Sequence, residues 1–176
     1  PTWSDLRNVC LEGESGLLSI LRRYGMMQTY NRSLGSVTLN NGTLIQGYTA
    51  DKPDRLRGPQ HHGAWVDELA AWRYPDAMDQ LKLGLRLGDL PRVVATTTPR
   101  PIPRIKSLLA DEGTTITRGS TFDNRENLAE SAVRDLERLY GGSRLGRQEL
   151  YGEVLDEALG ALWTHKIFDE NRVGEI

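Results

Sequence analysis

A short apolar run that ends in two adjacent carboxylates constrains the fold more than any other feature, and it lies in the stretch GAWVDELAAW. The run Ala-Trp-Val, bounded by a glycine and by charge, predicts a brief buried strand. Asp67 and Glu68 then lie at the carboxyl end of that strand, which is where open α/β sheets place their chemistry. Acids are also favoured at the start of a helix by its dipole, so this pattern alone leaves a structural role open.

A second apolar run, Val93 to Ala95, ends in Thr96, Thr97 and Thr98. Apolar residues at helical spacing between the two runs predict a crossover helix that stops near Gly88, and therefore two parallel strands. Hydroxyls beside carboxylates at such an edge are typical of nucleotide hydrolases. There the first acid holds Mg²⁺, the second polarises the attacking water and the hydroxyls sense the γ-phosphate. Threonine also simply favours strands, so a structural reading of the hydroxyls stays open.

The remaining segments predict further α/β structure. Asn41-Gly42 between two β-prone runs predicts a hairpin from Leu34 to Tyr48, closed by a type I′ turn with positive φ at both central residues. A further strand is expected from Thr114 to Thr121. Helices are expected around residues 14–21, 102–110, 127–140 and 143–155.

Composition narrows the class of protein. The single cysteine, Cys10, excludes an intramolecular disulfide framework and favours a reducing, cytoplasmic setting. No apolar run approaches the length of a membrane span, and no signal-peptide pattern is present. His61 and His62 have no metal-ligand spacing, so we expect them to be non-catalytic. The net charge is −2, while an arginine excess in the middle of the chain weakly indicates contacts with anions.

Several ordered motifs resemble the large terminase subunit of tailed bacteriophages and gene transfer agents, the ATP-driven motor that packages DNA into procapsids. They are RLRGPQHHGAWVDELAAWRYPDAMDQLKLGLRLGDLPRVVATTTPRP, TRGSTFDNRENLA, GSRLGRQELYGEVL and GALWT. The resemblance covers nearly the whole chain. It implies a P-loop NTPase-like fold of the ASCE type, with a mainly parallel sheet flanked by helices and the hairpin as an antiparallel extension.

The resemblance also implies roles for individual residues. Asp67 matches the Walker B aspartate, which implies nucleotide binding and Mg²⁺ coordination, and Glu68 matches the catalytic glutamate. Thr96, Thr97 and Thr98 match the motif that couples ATP hydrolysis to movement.

Arg57 matches a position from which some relatives supply a catalytic arginine in trans to the ATP of a neighbouring subunit, and Arg55 is a weaker candidate. The implied substrate is ATP and the implied cofactor is Mg²⁺. The implied partners are double-stranded DNA, the portal protein, the small terminase subunit and further copies of the chain in a ring. The implied location is the host cell cytoplasm, at the procapsid portal.

The chain also departs from the complete family pattern, because it contains no Walker A loop of the form G-x-x-x-x-G-K-[ST]. We therefore expect residues 1–158 to form the C-terminal portion of the ATPase domain, without the Walker A strand, loop and helix. Residues 159–176 are expected to begin a linker towards an absent nuclease domain, and the isolated chain to be inactive or nearly so. Two other readings stay open: a non-catalytic DNA- or portal-binding module, and a metal-dependent nuclease or hydrolase, which needs further acids near Asp67.

Overall fold

The computed structural model describes residues 2–155, 167 and 171. The chain divides into two compact units, Pro1–Thr97 and Thr98–Ile176, and each has its own architecture. The predicted linker, residues 159–176, lies outside the described residues except for Ile167 and Asn171. Within the described part of the chain, no helix is long and apolar enough to cross a lipid bilayer.

The first unit carries an antiparallel sheet and a parallel pair of strands. Its elements are, in chain order, helix α1 (Trp3–Asp5), a π-helix (Leu6–Leu11), helix α2 (Leu17–Arg23), strands β1 (Met27–Asn31), β2 (Ser36–Leu39) and β3 (Leu44–Gln46), a 3₁₀ helix (Pro53–Leu56), strand β4 (Gly63–Val66), a 3₁₀ turn (Leu69–Ala71), helix α3 (Ala77–Gly84) and strand β5 (Arg92–Ala95). These elements confirm the predicted α/β class.

The antiparallel sheet has the strand order β1, β2, β3 and provides one face of a hydrophobic core. Val37 and Leu39 are buried on β2, while Ser36 and Thr38, which alternate with them, are half-buried. This pattern is expected because alternate residues of a strand point to opposite faces of the sheet. The buried members of this core come from the π-helix, from α2 and from β2: Leu11, Leu18, Leu21, Val37 and Leu39. The sheet therefore packs against the N-terminal helical segment.

The predicted hairpin is confirmed, but its predicted turn type is wrong. Gly42 has a φ of +83°, whereas Asn41 lies outside the positive-φ region. The N–H of Leu39 donates to the carbonyl of Thr43 at 2.9 Å, which leaves a three-residue loop between the strands. The Asn41 side chain accepts a bond from the Thr43 N–H at 3.0 Å, and this local contact favours an ordinary turn conformation at Asn41. A single left-handed glycine thus closes the loop.

Strands β4 and β5 are parallel, as predicted, and α3 connects them. The helix ends at Gly84, earlier than the predicted stop at Gly88. There the carbonyl of Gly84 accepts a bond from the N–H of His61 at 2.8 Å, so the end of the helix is tied to the segment that enters β4. A mainly parallel sheet is not confirmed: the described strands comprise three antiparallel strands and one parallel pair.

The second unit is helical in its described part. It contains helix α4 (Pro103–Ala110), a 3₁₀ helix (Thr121–Asn127), helix α5 (Glu130–Tyr140) and helix α6 (Arg144–Glu149). The predicted strand from Thr114 to Thr121 is wrong: residues 114–120 form no strand. Ser120 instead caps the 3₁₀ helix, and its hydroxyl accepts a bond from the Asp123 N–H at 3.2 Å. Such local bonds compete with the pairing that a strand needs. Helix α6 also ends before the predicted limit near residue 155.

The hairpin turn yields a stability prediction. Replacing Gly42 with Ala should lower the free energy of unfolding by about 1 kcal/mol, because a β carbon is disfavoured in the left-handed region. Chemical denaturation measures the change. Gly58→Ala is the matched control, since Gly58 has an ordinary φ and a β carbon there would meet no atom within 4 Å. Equal stability of the two variants would contradict the left-handed assignment of Gly42.

Candidate functional site

The parallel pairing of β4 and β5 brings the two polar strand ends together. Val66 lies opposite Ala95 in the register, so Asp67 and Thr96 are the first residues beyond the paired ends. The pairing continues past the strands, because the Thr96 N–H donates to the carbonyl of Val66 at 2.8 Å and the Leu69 N–H donates to the carbonyl of Thr96 at 3.1 Å. The acids and the first threonine therefore share one rigid edge.

The carboxylate of Asp67 is held at both oxygens. The hydroxyl of Thr96 donates to its Oδ1 at 2.7 Å, and the thiol of Cys10 donates to its Oδ2 at 3.4 Å. Burial, followed by the hydrogen bond to Asp67, raises the pKa of the Cys10 thiol to about 11. The thiol therefore keeps its proton at neutral pH and remains a donor. Cys10 belongs to the π-helix, a kind of helix that is often found at functional sites.

Glu68 has an unusual backbone conformation. Its φ of 50° and ψ of 51° lie in the left-handed region, and among the described residues it is the one non-glycine residue with a positive φ. This conformation is costly for a side chain with a β carbon, and such strain concentrates at functional sites. The chain then enters the 3₁₀ turn Leu69–Ala71, whose first bond runs from the Ala71 N–H to the Glu68 carbonyl at 2.9 Å. Glu68 itself is half-buried.

Two side chains fix the backbone around Glu68. The indole Nε1–H of Trp72 donates to the main-chain carbonyl of Asp67 at 3.0 Å. The hydroxyl of Thr97 accepts a bond from the Ala70 N–H at 2.9 Å, so the end of β5 also holds the start of the 3₁₀ turn. Thr98 is the first residue of the second unit and is half-buried there.

Arg57 follows the 3₁₀ helix Pro53–Leu56 as its C-terminal cap residue. Its side chain is exposed, as is that of Arg55. Within the described part of the chain, no hydrogen bond or ion pair joins the guanidinium of Arg57 to Asp67 or Glu68. Leu56 beside it is buried, and the 3₁₀ helix packs against α3, which fixes the base of the loop.

The chemistry of the Asp67 carboxylate is compatible with a magnesium ligand. Each oxygen of a carboxylate can accept two bonds, so the contacts from Thr96 and Cys10 leave both oxygens of Asp67 with room for another partner. Mg²⁺ commonly uses only one or two protein carboxylates, and water and phosphate oxygens complete its shell. Among the described residues, no group of three or more His, Cys, Asp and Glu side chains is arranged so that it could hold a metal ion.

Fold and site together define an α/β protein with an acid pair at the carboxyl end of a parallel strand and a threonine motif beside it. The sequence family described as terminase large subunit, T4likevirus-type, N-terminal, matches residues 1–169. The chain therefore belongs to the large terminase family, as its sequence motifs predict, and this membership links it to the packaging of phage DNA. No curated protein matches the chain.

Three features of the site were absent from the sequence predictions. Cys10 is 57 positions from Asp67 and gives no local signal of their contact. The left-handed Glu68 is equally hidden, because glutamate does not favour positive φ. Trp72, in contrast, follows Asp67 by only five residues. An indole N–H usually finds an acceptor when it is buried, so the short spacing is the one sequence signal that could have indicated this contact.

Proposed function

We propose that this chain supplies the carboxylate and hydroxyl half of an ATP-hydrolysing site in a viral DNA-packaging motor. The observation that carries the proposal is the 2.7 Å bond from Thr96 to Asp67, which joins the ends of two neighbouring parallel strands. An acid pair and a hydroxyl motif at one sheet edge are the arrangement that ATP-driven motors use for hydrolysis and coupling. Membership of the large terminase family supports the same assignment.

Each residue at the edge has a distinct task in this proposal. Asp67 would hold Mg²⁺, whose charge offsets that of the ATP phosphates when it is bound. Glu68 accepts a proton from the attacking water, and its left-handed backbone turns it away from the line of β4. Thr96 and Thr97 contact Asp67 and the turn after Glu68, so displacement of the acids on hydrolysis is passed directly to the end of β5. Thr98 completes the coupling motif.

We also propose that the strand pair belongs to a P-loop NTPase-like sheet of the ASCE type. Trp65 on β4 and Val94 on β5 are 51% and 63% exposed, although parallel strands are normally covered on both faces. In a fold of this type, helices that flank the sheet would cover this face. In this scheme residues 1–158 form the C-terminal portion of the ATPase domain, and residues 159–176 lead towards a nuclease domain. The partners would be double-stranded DNA, the portal protein, the small terminase subunit and other copies in a ring.

Glu68→Gln tests the proposed chemistry. In protein expressed from the complete reading frame, we expect kcat for ATP to fall by about 10²- to 10⁴-fold, because the variant keeps the shape of the side chain but cannot accept a proton. Binding of a fluorescent ATP analogue should be retained. Glu126→Gln, at an exposed glutamate of the 3₁₀ helix Thr121–Asn127, is the matched control. Wild-type hydrolysis in Glu68→Gln would refute the assignment.

Arg57 can be tested by mixing subunits. We expect Arg57→Ala and Glu68→Gln proteins to be inactive when each is alone. Mixed rings should recover part of the activity, because an intact acid pair in one subunit can meet an intact Arg57 from its neighbour. Arg55→Ala is the control and should be active without mixing. If no mixture recovers ATP hydrolysis, Arg57 does not act in trans.

A further inference from the structure

The strained backbone at Glu68 can persist only if local contacts hold it. A non-glycine residue at a φ of 50° and a ψ of 51° would gain free energy by returning to an ordinary region. It stays there only if the surrounding structure restrains the peptide planes on both sides of its α carbon. The bonds around Glu68 identify what holds each plane.

The plane after Glu68 is held by backbone bonds. Its carbonyl, on Glu68, accepts from the Ala71 N–H at 2.9 Å, and its N–H, on Leu69, donates to the carbonyl of Thr96 at 3.1 Å. The first bond belongs to the 3₁₀ turn and the second extends the β4–β5 pairing. Neither depends on a side chain.

The plane before Glu68 is held by a side chain. It comprises the carbonyl of Asp67 and the N–H of Glu68, and its rotation changes ψ of Asp67 and φ of Glu68 together. The indole Nε1–H of Trp72 donates to that carbonyl at 3.0 Å from a half-buried position. The main chain of Trp72 is held in turn, because its N–H donates to the carbonyl of Leu69 at 3.2 Å. The indole therefore restrains φ at Glu68 directly.

We propose that Trp72 is a positioning residue for Glu68: its indole N–H locks the Asp67–Glu68 peptide plane and so keeps the acid in its left-handed conformation. The inference rests on the proposed function, in which Glu68 activates water. Without the indole bond the plane can rotate, the backbone at Glu68 relaxes, and the carboxylate leaves its position beyond the end of β4. Trp72 need not touch ATP for this role.

Removal of the indole donor tests the inference. In protein expressed from the complete reading frame, Trp72→Phe should lower kcat for ATP by about five- to tenfold, which is the worth of one neutral hydrogen bond, with KM for ATP unchanged. A second variant carries benzothienylalanine at position 72, which keeps the shape of the indole and replaces N–H with sulfur. It should show the same loss. Trp3→Phe makes the same exchange at an exposed tryptophan of α1 and should leave kcat unchanged.

Amide hydrogen exchange gives a readout that does not depend on activity. In both Trp72 variants, exchange of the segment from Asp67 to Trp72 should rise by about the same factor as kcat falls, while the antiparallel sheet of β1, β2 and β3 stays protected. If amide exchange and kcat are unchanged in the benzothienylalanine variant, the inference is wrong. The same holds if only Trp72→Phe lowers kcat, because that result would mean that the ring acts through packing and not through its N–H. If Glu68→Gln hydrolyses ATP normally, the proposed function fails instead, and hydrogen exchange still decides whether Trp72 holds the peptide plane.

Discussion

The parallel pairing of β4 with β5 is the constraint on which the rest of the site depends. The register places Val66 opposite Ala95, and the contacts that Thr96 and Thr97 make at the polar edge follow from it. A slip of one residue would turn the side chains of one strand to the opposite face and separate Thr96 from Asp67. The bond from the Thr96 N–H to the Val66 carbonyl and the bond from the Leu69 N–H to the Thr96 carbonyl extend the same pairing beyond the strands. They carry the order of the sheet into the loop that bears the acids.

The loop after β4 combines a strained residue with an unusually complete set of restraints. Asp67 is contacted at both carboxylate oxygens and at its main-chain carbonyl, by side chains from three separate segments. Glu68 next to it adopts a conformation that an unrestrained chain would avoid. Fixed geometry of this kind lowers the free-energy cost of reaching a transition state, because the groups need little reorganisation during a reaction. The bonds that restrain Asp67 therefore also limit the freedom of the loop in which Glu68 is strained.

Sequence reasoning predicts this region well where the signal is local. The apolar runs before Asp67 and before Thr96 predict strands, and the helical spacing between them predicts that the strands are parallel, which the structure confirms. The hairpin at Asn41-Gly42 is predicted for the same reason. Its turn type is not predicted, because the Asn41 side chain accepts a bond from the Thr43 N–H within a three-residue loop. Strand β1 has no alternating pattern: Met27 and Tyr30 are half-buried while the residues between them are exposed.

Features that depend on tertiary contact lie beyond such reasoning. The Cys10 thiol reaches Asp67 only because the π-helix packs beside the strand ends, and no spacing in the sequence encodes that approach. The segment from Thr114 to Thr121 is rich in β-branched residues, yet it finds no strand partner and Ser120 caps a 3₁₀ helix instead. In both cases the outcome depends on which residues the tertiary fold brings together, and local sequence does not encode that. The family assignment succeeds because it depends on several ordered motifs.

In the proposed function, Asp67 holds Mg²⁺ together with a bound nucleotide. The most direct measurement is a magnesium titration of fluorescent ATP-analogue binding, in protein expressed from the complete reading frame, for the wild type and for Asp67→Asn. We predict that the variant needs more than about tenfold higher magnesium for half-saturation, because an amide replaces the charged ligand. The same magnesium dependence in both proteins would contradict the assignment of Asp67 as a magnesium ligand.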